Sequence, residues 1–141
     1  MKKSFIILIA VLSILIITAC SNSGNLSGKT FDVSVVSSPN TPDKYDSIMT
    51  LEFTDGKVIT DAIDGEEGTY ELKDDELVIQ FENENESLEI EFTLKESDKD
   101  FSEYSAEISD SDFQIEDSEQ VSKYKNIYTN LSHSHVEFIE R

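Results

Sequence analysis

His133, His135 and Glu137 put the most chemistry into the smallest space, close to the end of the 141-residue chain. On an extended strand, alternate residues share a face and lie about 7 Å apart. Two imidazoles and a carboxylate on one face could coordinate Zn²⁺ or another divalent metal. Val136 and Phe138 alternate with them and face the other way, so the segment also reads as the polar outer side of a strand over a core. A second group of oxygens, Asp61, Asp64, Glu66 and Glu67, surrounds Gly65. Calcium favours such turns, but the twelve-residue loop with its closing Glu is absent, and a solvated turn is the simpler reading. Asp110 and Asp112 alternate with serines and read the same way. Ser132 and Ser134 adjoin the histidines, yet neighbours on a strand point to opposite faces. No nucleophile, base and orienting group can be named together, so the chain is expected to be non-enzymatic and without a cofactor. Of the tyrosines, Tyr70 and Tyr104 suit the core or its edge. Tyr124 and Tyr128, four apart beside Lys123 and Lys125, are the candidates for an interaction surface.

Cys20 is the single cysteine. Lys2 and Lys3 precede an apolar run from Phe5 to Ile17, broken only by Ser13, and Thr18-Ala19 leads into the cysteine. A basic start, an apolar stretch of about 7–15 residues and small residues at its end mark a secretory signal. A spanning helix would need about 20 apolar residues. The residues Ile17-Thr18-Ala19-Cys20 resemble the lipobox of bacterial lipoproteins, with Ile17 where Leu is commonest. That resemblance implies removal of residues 1–19, a diacylglycerol on the Cys20 thiol, and a place on the extracytoplasmic face of the cell membrane. The alternatives are an uncleaved anchor and a free buried thiol. A lone cysteine leaves no internal disulfide, which suits a Gram-positive surface protein. Residues 20–27, mostly small and polar, read as the lipidated cysteine and a flexible tether, and 28–141 as one domain.

The whole chain carries 11 Lys+Arg against 30 Asp+Glu, a net −19. Loss of residues 1–19 removes two lysines and no acids, leaving 9 − 30 = −21. Phosphate-directed binding needs clustered Lys and Arg, so nucleic acid is not an expected partner. Anionic headgroups favour basic segments and would repel this surface. Attachment to the membrane must then come from the lipid.

Positioning of these residues falls to strands. Phe31, Val33 and Val35 alternate with polar residues, as do Met49, Leu51 and Phe53. Ser37 to Asp43, with two prolines, reads as a loop. Asp55-Gly56 signals a hairpin. Asp64 to Gly68 reads as a turn region, Asp74-Asp75 as another hairpin, and Asn83 to Glu86 as the next turn. Leu88, Ile90, Phe92 and Leu94 give the cleanest alternation. Phe101–Ile108 and Asp112–Glu116 read as two further strands and Val136–Ile139 as the closing one. Val121 to Leu131 has helical spacing and reads as either a short helix or an irregular cover. Eight or nine short strands with frequent turns predict an all-β antiparallel meander closing into a small barrel or curled sheet. The segments Leu26 to Phe31, Gly68 to Leu72 followed by Leu77 to Phe81, and Val136 to Arg141 resemble small lipocalin-like domains of bacterial lipoproteins. Phe31 stands where that group usually has Trp. The resemblance implies an antiparallel barrel with an apolar pocket, and it carries no site residue across. The expected function is binding of a small apolar ligand or an envelope protein. The alternative is a structural or accessory envelope protein, or an exclusion or immunity factor, acting through its acidic surface.

Overall fold

The computed structural model describes residues 26–36, 45–131 and 135–141. Eight strands run in sequence order and close into an antiparallel barrel: β1 (Thr30–Val36), β2 (Tyr45–Thr54), β3 (Lys57–Thr60), β4 (Glu66–Lys73), β5 (Glu76–Glu82), β6 (Glu86–Glu96), β7 (Tyr104–Ile115) and β8 (His135–Glu140). β8 pairs back onto β1, with Val33 opposite Phe138. This is the all-β meander that the alternation predicts. A short helix, α1 (Lys125–Asn130), lies inside the stretch with helical spacing. The turns follow local chemistry. Asp55, Asp64 and Asp74 adopt positive φ, which Asp tolerates better than most residues, and Gly56 and Gly65 follow two of them.

The interior is filled by side chains. Phe31, Phe53, Phe81, Phe92 and Phe138 are fully buried. Their rings meet edge to face, Phe31 on Phe138 at 5.8 Å and Phe92 on Phe138 at 5.5 Å between centroids. Such contacts add about 0.5–1.5 kcal/mol each beyond area burial. An eight-stranded barrel is just wide enough for side chains to fill or for one small ligand. Here large apolar side chains take the space.

Three boundaries differ from expectation. First, β7 is one strand, not two. Glu91 pairs Asp110 but Phe92 pairs Ile108, so Ser109 is an extra, bulged residue. A bulge shifts the alternation by one, and a period-2 pattern therefore breaks in mid-strand. Second, β4 begins at Glu66, so the last three residues of the expected turn are strand. Third, Leu26 is buried and Ser27 bonds Asp55, so both belong to the barrel and not to a tether. The Ser37–Asp43 loop lies outside the described residues.

Gly68 faces the interior beside Phe81. A Cβ on it would meet the Gln80 carbonyl oxygen and come within 2.6 Å of the Phe81 ring. The backbone oxygen cannot swing away as a side chain could. Gly68→Ala is expected to destabilise the barrel by about 1–3 kcal/mol, the usual range for overpacking. Urea unfolding checks this, and an unchanged midpoint would show that the strand pair gives way freely.

Candidate functional site

Glu137 occupies the outer side of β8, between Ser34 on β1 and Ser105 on β7. Its side chain is nevertheless completely buried. The connection from β6 to β7, residues 97–103, folds back over this row. Ser97 Oγ donates to Glu137 at 3.0 Å, Ser105 Oγ at 2.8 Å, and the Lys99 ammonium sits 2.8 Å away. Ser102 Oγ ties the returning chain to the Phe138 carbonyl. Phe101 stacks on Tyr45 of β2, with ring centroids 5.3 Å apart. Burial alone would push the Glu137 carboxyl up. The bonds from Lys99 and the serines outweigh it and hold the group at about 2. Glu137 in turn raises Lys99. Ser34 Oγ, in the same row, is buried and has no hydrogen-bond partner among the described residues.

His135 is exposed, with Nε2 3.3 Å from Glu137. His133 and Cys20 lie outside the described residues, as do Ser132 and Ser134. Of the expected metal set, the structure therefore brings two members together. Glu137 spends its oxygens on Lys99, Ser97 and Ser105, which makes it the anchor of a clasp. Among the described residues no three His, Cys, Asp or Glu side chains gather as a metal site. The acids near Gly65 diverge. Asp61 accepts the Thr50 amide, Glu66 accepts the Tyr124 hydroxyl, and Glu67 pairs with Lys57.

Tyr124 is not a surface residue. It is fully buried, packs on Phe81, and donates to Glu66 at 2.8 Å. Burial, with Glu66 adding to it, pushes its hydroxyl well above the ordinary tyrosine value. The helical spacing that grouped Tyr124 with Tyr128 is that of a helix covering one end of a barrel: Tyr124, Ile127 and Leu131 turn in. Glu86, also buried, holds the approach to the helix by accepting the Lys123 amide and the Ser122 hydroxyl. Tyr128 remains 39% exposed and leans on Phe113. Beside it runs a groove of about 460 Å³ between the end of β7 and residues 118–126, lined by Phe113, Ile115 and the highly exposed Val121, with Lys125 at its rim.

Two features of β7 went unseen in the sequence. One is charge. On the outer side, Glu91 lies opposite Asp110 and Glu89 opposite Asp112. Like charges in direct register destabilise a sheet. Among the described residues none of these four enters an ion pair. The other is an open edge. β8 pairs only Tyr104 to Glu107 of β7, whereas β6 pairs its whole length. From Ser111 to Ile115, β7 has no strand on its other side among the described residues. The Glu116 amide points to Asn85 on the β6 side. By the antiparallel alternation, the amides of Ser111, Phe113 and Ile115 point to the open side. The Ser111 amide is met there by the Asp110 carboxylate.

Comparison with protein-family models, curated proteins and solved structures finds no match to this chain. Among the described residues no helix is long and apolar enough to cross a membrane.

Proposed function

We propose that the chain is a lipid-anchored extracytoplasmic lipoprotein, non-enzymatic, whose barrel binds another envelope protein through its outer surface. The observation that carries the choice of a protein over a small apolar ligand is the filled interior. Phe31, Phe53, Phe81, Phe92 and Phe138 occupy the space that a lipocalin-like pocket would need. The outer side of β6 and β7 instead offers unneutralised carboxylates in a row. An accessory or immunity role, in which the same face blocks a cationic partner, rests on the same observation.

Crosslinking on intact cells with a carboxylate-directed reagent is the test. It should capture one predominant protein through peptides of β6 or β7. Recovery of no crosslinked protein would end this reading. Native mass spectrometry of the chain from its own host should show no carried small molecule, and a bound apolar ligand would restore the pocket.

A further inference from the structure

The open edge of β7 adds a direction to the acidic face. An unpaired strand edge is a template for another strand, and proteins blunt such edges with charge and bulges. Here Ser109 is bulged and Asp110 and Asp112 stand on the outer side. In a chain of net −19 these acids oppose pairing with a second copy. They do not oppose a cationic strand. The side facing the groove is different: Phe113 and Ile115 are half-buried there, with Tyr128 and Val121 alongside. A strand laid on this edge would place alternate residues next to the carboxylates and next to the apolar groove.

We propose that β7 from Ser111 to Ile115 is a strand-addition site for an extended segment of a partner protein, one that alternates Lys or Arg with apolar residues. Main-chain bonds to Phe113 and Ile115 give the hold, and the two faces give the choice of sequence. The proposal rests on the protein-binding reading above and names its surface. Lys125 at the groove rim tells against a cation there, so the basic residues belong on the outer face.

The probe is a synthetic peptide of alternating Lys and Val, long enough to span Ser111–Ile115, titrated into the full chain in nonionic detergent. Hydrogen exchange read by mass spectrometry should slow over residues 111–116 and not over β4 or β5. Three changes should each weaken binding at least about tenfold, or roughly 1.4 kcal/mol. These are N-methylation of alternate peptide amides, replacement of its Lys by Glu, and the pair Asp110→Lys with Asp112→Lys. Ile115→Pro should weaken binding while sparing the β6 ladder, because that amide faces the open side and is one of the two that hold the added strand. Equal binding of the N-methylated peptide, or protection spread over the outer faces of β4 and β5, would overturn strand addition and leave a merely cationic partner. No binding by any peptide would overturn it too, while a crosslinked partner on cells would keep the broader reading.

Discussion

Glu137→Ala is expected to lower the unfolding free energy by about 3 kcal/mol, more than any exposed acid in the chain. Breaking a buried ion pair by removing one partner costs about 3–5 kcal/mol, because the other charge is left behind. The Lys99 side chain is 27% exposed and can turn toward water, which puts the expected loss at the low end. Ser97 and Ser105 lose their acceptor as well. Urea unfolding at neutral pH measures the effect, and a loss under about 1 kcal/mol would mean the clasp is ornamental. The same residue sets a pH dependence. Its carboxyl lies at about 2 when folded, against an ordinary 4.5. A depressed folded value gives stability that is present above the ordinary value and lost as pH falls toward the folded one. Wild type should therefore lose on the order of 3 kcal/mol between about pH 5 and pH 2 through this group. Glu137→Gln cannot titrate. Subtracting its acid unfolding curve from that of wild type isolates Glu137 from the other carboxylates, and parallel curves would contradict the argument.

The clasp also shows where the sequence stopped being legible. Alternation located nearly every strand because one face of each is buried, and inward residues such as Leu88, Ile90 and Phe92 keep strict period. It assigned Glu137 correctly to the outer side of β8. It could not say that residues 97–103 return over that side, since a loop's path depends on contacts distant in sequence. The available hint was chemical: Lys99 is isolated among acids and flanked by Ser97 and Ser102. Tyr124 failed for a related reason. Helical spacing describes one stripe without saying which part of it faces in, and only the barrel end fixes that. Which part of β7 meets β8 is decided by pairing between distant segments, and local pattern does not record it.

Cys20→Ala is expected to abolish lipid labelling and to remove the processed protein from the membrane fraction. Each buried methylene contributes about 0.8 kcal/mol, and stable anchoring takes two acyl chains, which a diacylglyceryl group supplies. At −21 after processing the chain would be repelled by anionic headgroups, so high salt should not release the wild type either. Palmitate incorporation, apparent mass and fractionation together decide the matter. If the variant is processed and stays with the membrane at the wild-type level, the lipoprotein reading fails. A lipid on Cys20 would also orient the barrel. Leu26 is already packed, so the link from Cys20 spans six residue steps, at most about 20 Å. The end of the barrel that holds Leu26 and the Asp55-Gly56 turn would then be kept near the bilayer. Odd-numbered strands of a meander run away from that end, and the open part of β7 is its second half. Anchored in this way, the chain would present the acidic edge on the far side from the bilayer, open to the proposed partner.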